Sequence, residues 1–273
     1  MTGSEPPLLP STSAPLVFSA KRGATSLPAV FKGLLMLELF AWKRSGVWVK
    51  AGLALAGLIV ITRLSVSRGN AALFSTWMID VVTLKLVPLL CLVTGGGLLR
   101  NQIRSFTIEY LWTRPASKTY LVLSAWAVSV VLVSVQATVA TVVVHAVGSL
   151  QGVPNVWDGM MLQALTQVLI ILPFCALAVA LGVVSGKYMV LGLVYGLLIE
   201  GGMSRLPTNL NRISVTHHAE ELLSLSASSV QNPMTSVWLP SVGGLAMITG
   251  VALALAVFIF NRTQYSVGGE KEG

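Results

Sequence analysis

Residues 160–184, with the sequence MMLQALTQVLIILPFCALAVALGVV, contain no charged side chain. A helix crosses the hydrocarbon core of a bilayer with about 20 mainly apolar residues, so this stretch is long enough to span a membrane. The whole chain has the same character: 54% of its 273 residues are hydrophobic, only 10% are charged, and its mean hydropathy is +0.79. Soluble domains carry about 25% charged residues. The sequence therefore predicts an all-α, polytopic membrane protein.

Five other apolar stretches accompany this one, so about six transmembrane helices are predicted. The six spans are Val47–Leu64, Ile79–Leu99, Tyr120–Val147, Met160–Val184, Tyr188–Met203 and Ser241–Phe260. The fifth span is short, which makes its separation from the fourth the least defined boundary. Residues 1–27, rich in Pro, Ser, Ala and Thr, are predicted to be a disordered cytoplasmic tail. Residues 28–262 form one membrane domain, and residues 263–273 form a cytoplasmic C-terminal tail.

The basic residues are distributed unevenly across these spans. Thirteen Lys and Arg residues fall on one side of the predicted membrane, whereas only Arg63, Arg68, Arg205 and Arg212 fall on the other. Cytoplasmic loops carry the excess of Lys and Arg, so both termini are predicted to be cytoplasmic. The net charge of +8 does not indicate nucleic-acid binding, because these residues bracket apolar spans and are not interleaved with aromatic residues on one face.

Two segments outside the spans have helical character. Val30–Arg44 is apolar but interrupted by Lys32 and Glu38, which predicts an interfacial helix leading into the first span. An extension of the first span is the alternative. The external segment Ser204–Pro240 contains a stretch of helical potential at Ile213–Val230, and it is expected to form a compact cap or a re-entrant element over the outer mouth.

The most polar segment inside the membrane domain is Arg100–Lys118, RNQIRSFTIEYLWTRPASK, between spans two and three. At 100° per residue, a helix places Leu99, Ile103, Phe106 and Tyr110 in one stripe. Pro115 ends that helix, and Ser117 is suited to cap the next one. The pattern predicts a short cytoplasmic helix that docks a soluble partner. The alternative is an ordinary basic loop in contact with phospholipid headgroups.

The string Phe106–Lys118, FTIEYLWTRPASK, resembles a pattern found after the second span of ABC-2 type ABC transporter permeases. That pattern is roughly G-T-[IL]-E-x-L-L-[ST]-x-P-[VLI]-S-[RK]. The chain departs from it at Phe106, where Gly is common, and at Trp112, where Leu is common. The layout is also similar, with an interfacial N-terminal helix, six spans and a long external segment before the last span.

The resemblance implies the membrane-spanning subunit of an exporter in the cell (inner) membrane, paired with a second permease subunit and driven by a separate ABC ATPase. The insert would be the coupling helix that binds the ATPase, and ATP with Mg²⁺ would be bound by that partner, with no cofactor on this chain. The predicted coupling residues are Arg104, Glu109, Tyr110, Trp112, Thr113, Arg114, Pro115 and Lys118. Arg104 and Lys118 are expected to supply supporting charge.

Other candidate sites are weaker. Gly182–Tyr188, GVVSGKY, lacks the spacing and the Ser or Thr of a Walker A loop. The external segment carries His217 and Glu221 on one helical face, with Glu220 beside them, so the alternative functions are a membrane hydrolase built on these residues or a non-transporting scaffold.

Ionisable residues within the spans are functional candidates. Lys85 is the deepest of them, and it is predicted to line a substrate path or to pair with another span. Asp80 and Glu200 are placed at the outer interface. Cys91 and Cys175 lie within apolar spans and are expected to be small buried side chains without a disulfide.

Overall fold

The computed structural model describes residues 26–44, 47–66, 69–104, 117–200, 214–227 and 238–262. Helices dominate these residues, and no strand occurs among them. The all-α prediction is confirmed. The predicted tail at 263–273 lies outside the described residues, and so does the predicted tail at 1–27 except for residues 26 and 27, of which Leu27 begins the first helix.

Eight helices can be followed through the described ranges. The first two are α1 at Leu27–Arg44 and α2 at Val47–Ser65. Helix α3 covers residues 71–104 as five consecutive segments: Ala71–Trp77, a π-helix at Met78–Leu86, Val87–Cys91, a π-helix at Leu92–Gly96, and Gly97–Arg104. Helices α4 and α5 are Lys118–Leu150 and Met160–Val184. Helix α6 is Tyr188–Tyr195 continued by a π-helix at Gly196–Glu200, and the last two are α7 at Val215–Ala227 and α8 at Trp238–Arg262.

Four of these helices are long and apolar enough to cross a membrane: Ala71–Gln102, Lys118–Leu150, Met160–Val184 and Leu239–Arg262. They coincide with predicted spans two, three, four and six. The helices at predicted spans one and five contain shorter apolar stretches, Ala51–Ser65 and Tyr188–Leu198. Within the described ranges, four of the six predicted spans are thus helices long and apolar enough to cross a membrane.

Helix α1 covers the stretch Val30–Arg44, whose interfacial position stays a prediction. It does not qualify as a span by length and hydropathy. Leu34 is 2% exposed and packs in one apolar cluster with residues at the ends of the long helices. The other members of this cluster include Leu98 and Leu99 of α3, Leu121 of α4, Val183 of α5 and Phe260 of α8. Helix α1 therefore lies at the end of the bundle from which the Arg100–Lys118 insert emerges.

Helix α5 forms the centre of the bundle and packs against α3, α4, α7 and α8. Its packing on α3 is closest at two glycines, because a Cβ added to Gly182 would collide with the backbone of Gly96. Small residues of this kind let two membrane helices approach backbone to backbone. The indole N–H of Trp126 in α4 also donates a 3.1 Å hydrogen bond to the carbonyl of Leu172 in α5.

Helix α6 runs antiparallel to α3, and two close contacts define its depth. A Cβ on Gly96 would meet the ring of Tyr188, and a Cβ on Gly192 would meet the side chain of Leu92. From one contact to the other, α3 goes back by four residues while α6 goes forward by four. Glu200 lies eight residues after Gly192, so it is level with residue 84 of α3, eight residues before Leu92. Helix α6 thus ends near the middle of α3 rather than at the end of the bundle.

Helix α7 is packed into the bundle. Val215, Ala219 and Leu222 recur at helical spacing, are fully buried, and join a cluster with Ile170 of α5 and Leu245 of α8. Within the predicted helical stretch Ile213–Val230, residues Val215–Ala227 therefore form a helix with one buried face. Since α7 begins beside Glu200, it begins at mid-depth, which favours the re-entrant form of the sequence prediction over a cap.

Candidate functional site

A cavity of about 320 Å³ lies between α3, α5 and α6. Its walls are residues of α3 between Leu84 and Leu92, residues of α5 between Phe174 and Leu181, and residues of α6 between Gly192 and Glu200. Thr216 of α7 contributes one further contact. Most of these side chains are apolar, and the two ionisable carboxylate and ammonium groups on the wall are Glu200 and Lys85. Pockets for small molecules are commonly apolar with a few polar groups.

Lys85 lies near the centre of the spanning helix Ala71–Gln102. Its side chain is exposed and reaches the cavity. Among the described residues, the Lys85 ammonium has no hydrogen bond and no ion pair within 4.0 Å. Asp80, five residues earlier on the same helix, is not its partner. Lys85 therefore occupies the place expected of a residue on a substrate path, and that role stays a prediction.

Glu200 is held by four donors. One carboxylate oxygen accepts hydrogen bonds from the Tyr195 hydroxyl at 2.7 Å and from the Val215 backbone N–H at 3.2 Å. The other oxygen accepts from the Ser214 hydroxyl at 2.7 Å and from the Thr216 backbone N–H at 2.9 Å. The first N–H groups of a helix lack intrahelical partners and favour a negative charge. Glu200 consequently caps α7.

The position of Glu200 differs from the sequence expectation. The sequence predicts Glu200 at the outer interface. In the structure it is 9% exposed and lies level with the middle of α3. The difference arises because α6 is short and α7 packs back into the bundle, which brings the end of α6 to the depth of Lys85. Sequence spacing did not reveal the capping role, since its donors follow Glu200 by 14 to 16 residues.

Three π-helical segments surround the cavity. Lys85 lies in the first, Leu92 in the second, and Gly196 and Glu200 in the third. A π-helix is rare and often occurs at functional sites. Pro88, which lies between the first two segments and also lines the cavity, lacks an N–H and cannot close the regular i→i−4 hydrogen bond. Pro88 was the one sequence signal for an irregular helix here.

A buried polar chain joins three long helices beside the cavity wall. The Thr141 hydroxyl of α4 donates to Gln167 Oε1 of α5 at 3.0 Å, and Gln167 Nε2 donates to the Thr83 hydroxyl of α3 at 3.4 Å. His145 Nδ1 lies 2.8 Å from the Thr141 carbonyl. Interhelical hydrogen bonds of this kind stabilise membrane bundles by about 0.6 kcal/mol each on average. These hydrogen bonds therefore help to hold α3, α4 and α5 in position relative to one another.

The alternative site on the segment Ser204–Pro240 does not have the geometry of a Ser-His-acid triad. His217 Nε2 lies 3.2 Å from Glu221 Oε1, which confirms that these residues share a helical face. Ser241 of α8, however, donates its hydroxyl proton directly to Glu221 Oε2. In a Ser-His-acid triad the imidazole lies between the hydroxyl and the carboxylate, whereas here the carboxylate lies between the other two. This arrangement joins α7 to α8.

A metal centre is also not indicated at this place. Among the described residues, no three His, Cys, Asp or Glu side chains are grouped so that they could hold a metal ion. His218 is 6% exposed, and its ring occupies the space beside Gly244, where a Cβ would collide with it. These contacts are those of packed side chains between two helices.

Most of the predicted coupling residues lie between Arg104 and Ser117, outside the described part of the chain. Glu109, Tyr110, Trp112, Thr113, Arg114 and Pro115 all fall outside the described residues. Arg104 is the last residue of α3 and Lys118 is the first residue of α4. The sequence prediction for Ser117 is confirmed, because its hydroxyl accepts a 3.2 Å hydrogen bond from the Tyr120 N–H and caps α4.

The described features define an all-α protein with several helices suited to a membrane and a partly charged cavity at their mid-depth. Neither the protein-family models nor the curated proteins compared with this chain match it. The observations that bear on its function are therefore the sequence pattern at Phe106–Lys118 and the cavity.

Proposed function

We propose that this chain is the membrane-spanning subunit of an ABC-2 type ABC exporter. It has six spans, pairs with a second permease subunit, and takes its energy from a separate cytoplasmic ABC ATPase. The observation that supports this most is the position of Phe106–Lys118. This stretch, which resembles the coupling segment of that family, connects two helices of spanning length, α3 and α4.

The N-cap at Ser117 is a structural feature that fits the family-like string TRPASK. In the string TRPASK, Pro115 ends one helix and Ser117 starts the next. The structure has the second half of this arrangement, with Ser117 extended and its hydroxyl bonded to the N–H of Tyr120. A docking segment placed here is attached at both ends to the long helices that it has to move.

Helix α3 supplies the path from the docking segment to the cavity. Its final residue, Arg104, lies within the insert, and Lys85 lines the cavity about 28 Å away at 1.5 Å per residue. Closure of two ATPases is a rigid-body motion that can tilt helices attached to them. A tilt of α3 changes the distance between Lys85 and the wall formed by α5 and α6, and so opens or closes the cavity.

The proposed topology has both termini in the cytoplasm, with α2 as a shorter span and with α6, which ends at mid-depth, as the membrane segment at predicted span five. The positive-inside bias supports this orientation. Helix α1 packs at the same end of the bundle as Leu98 and Leu99, which directly precede the insert. An interfacial helix at this end lies beside the predicted ATPase contact.

The test is affinity purification of the tagged chain from its native membranes in mild detergent. The test variant combines Glu109→Arg with Arg114→Glu, which keeps the net charge but reverses the charges at these two positions of the insert. The control combines Glu270→Lys with Lys271→Glu in the C-terminal tail and is also neutral overall. We expect the wild type and the control to retain a protein with a Walker A loop, and the insert variant to lose it. Absence of such a protein from the wild-type sample would refute the proposal.

A further inference from the structure

The cavity wall has a carboxylate whose hydrogen-bonding capacity is already used. An ionised carboxylate offers about four acceptor positions, and Glu200 accepts from two hydroxyl groups and two backbone N–H groups. Its negative charge faces the positive end of the α7 helix dipole. Glu200 therefore has little capacity left for a ligand or for Lys85, although both residues line the same cavity.

Lys85 is in the opposite situation. Its ammonium has three donors, and it is without a hydrogen bond or ion pair to any described residue. An ionisable group at the centre of a spanning helix is costly and is usually paired with another group or with a ligand. The cavity thus has a cation whose partner must come from outside the described part of the bundle.

The remaining surface of the cavity is apolar. Leu89 and Leu92 of α3, Leu177 and Leu181 of α5, and Leu193 of α6 contribute to it. A small hydrophilic anion would satisfy Lys85 but would leave these side chains against water. The volume of about 320 Å³ is at the small end of ligand sites, which does not fit a folded peptide or a polymer.

We propose that this cavity binds one anionic amphiphile by its charged end, with the negatively charged group at Lys85 and the adjoining part of the hydrocarbon portion against the leucines of α3, α5 and α6; a volume of about 320 Å³ holds this end and not a whole diacyl lipid. The ligand class is a lipid with a phosphate or carboxylate group. Lys85 supplies charge-assisted hydrogen bonds to that group. The apolar wall selects the hydrocarbon portion, and neutral or zwitterionic lipids lack an unbalanced negative charge to match Lys85.

This ligand would be the exported substrate only if the proposed transport function holds. Its binding to the chain does not depend on that function. The binding experiment therefore uses the full-length chain alone, without ATP and without any ATPase. Lys85-dependent binding together with failure to capture an ATPase would remove the exporter proposal and leave the lipid site.

The experiment is native mass spectrometry of the purified chain, with lipids added at equal concentration. The probes are phosphatidylglycerol and phosphatidylcholine with identical acyl chains, and oleate in a separate sample. Phosphatidylcholine controls for the hydrocarbon portion, while oleate distinguishes a carboxylate ligand from a phosphate ligand. We expect one phosphatidylglycerol or one oleate molecule to be retained roughly 10- to 100-fold more strongly than phosphatidylcholine, as for a charged hydrogen bond.

Four variants separate the cavity from general charge effects. Lys85→Gln removes the cation and should abolish the preference, whereas Lys85→Arg keeps the charge and should retain most of it. Lys187→Gln removes one positive charge from the turn before α6, outside the cavity, and should have no effect. Gly196→Leu leaves Lys85 intact but fills the cavity, since a Cβ at this position meets open space. It should weaken binding of all three lipids.

The outcomes decide the proposal. Loss of the anionic preference in Lys85→Gln and loss of binding in Gly196→Leu support it, and the retained probe identifies the headgroup chemistry. Equal retention of anionic lipid by Lys85→Gln and the wild type would overturn it. An equal loss in Lys187→Gln would also overturn it, because binding would then follow the total surface charge.

Discussion

Replacing Glu200 with alanine removes one acceptor that serves four donors, and we expect it to open helix α7 locally. The Val215 and Thr216 backbone N–H groups would lose the carboxylate oxygens that accept from them, and so would the hydroxyls of Tyr195 and Ser214. The Ser214 hydroxyl still accepts from the His217 N–H at 3.3 Å, so part of the cap remains. The first turn of α7 should therefore loosen without loss of the whole helix.

The magnitude follows from the two backbone groups. A buried donor left without a partner costs about 1–3 kcal/mol, and the two hydroxyls can rotate toward other acceptors. Two N–H groups at the lower part of this range give about 3 kcal/mol for Glu200→Ala. Because about 1.4 kcal/mol corresponds to a factor of ten, the opening of the first turn should become roughly 100-fold more frequent. Glu200→Gln keeps one carbonyl acceptor and should give about half of the energetic effect.

The assay is hydrogen–deuterium exchange of the detergent-solubilised chain, followed on peptides that cover α7. Glu220→Ala is the control, because Glu220 lies on the same helix with its side chain exposed. We expect faster exchange at residues 215–220 in Glu200→Ala, a smaller increase in Glu200→Gln, and wild-type exchange in Glu220→Ala. Unchanged exchange in both Glu200 variants of a monodisperse sample would refute the capping role and the placement of α7.

Two further predictions test the packing of α3 on α5. Gly182→Ala should lower the thermal midpoint of the purified chain, because the added methyl collides with the backbone of Gly96. Gly250→Ala on an open face of α8 is the control and should leave the midpoint unchanged. Equal midpoints of the two variants in scanning fluorimetry would contradict the close approach of α3 and α5. Cys91 and Cys175 are both fully buried and free, so a water-soluble maleimide should label them only after denaturation, and rapid labelling of the folded chain would show that this interface is wrong.

The sequence predicted the long helices well because their signal is local. Helix α5 has the bounds expected from its apolar run, Met160–Val184, since charged and turn-forming residues flank the run on both sides. Ser117 was also predictable, because an N-cap is recognised from the residues next to it. Spans one and five were harder, since their apolar helices are short and the number of spanning helices depends on the membrane as well as on composition.

The cavity could not be predicted in the same way. Lys85 stood out because a charge inside an apolar span is unusual, but its proximity to Glu200 depends on the antiparallel register of α3 and α6. That register is determined by Tyr188 against Gly96 and by Leu92 against Gly192, contacts between residues about 100 positions apart. Apart from Pro88 between them, the π-helical turns of α3 gave no sequence signal, because their residues also suit a regular helix.

The arrangement of α3 gives the proposed transport function a specific mechanical form. Gly96 of α3 contacts Gly182 of α5 closely. Along α3, Gly96 lies between Lys85, which lines the cavity, and Arg100, where the insert begins. Side chains cannot yield at this contact, because it brings the two backbones together. If the proposed function holds, we expect a displacement of the insert to tilt α3 about this close contact at Gly96. The π-helical segment Met78–Leu86, beyond that contact, is the part of α3 where such a rotation would change the cavity.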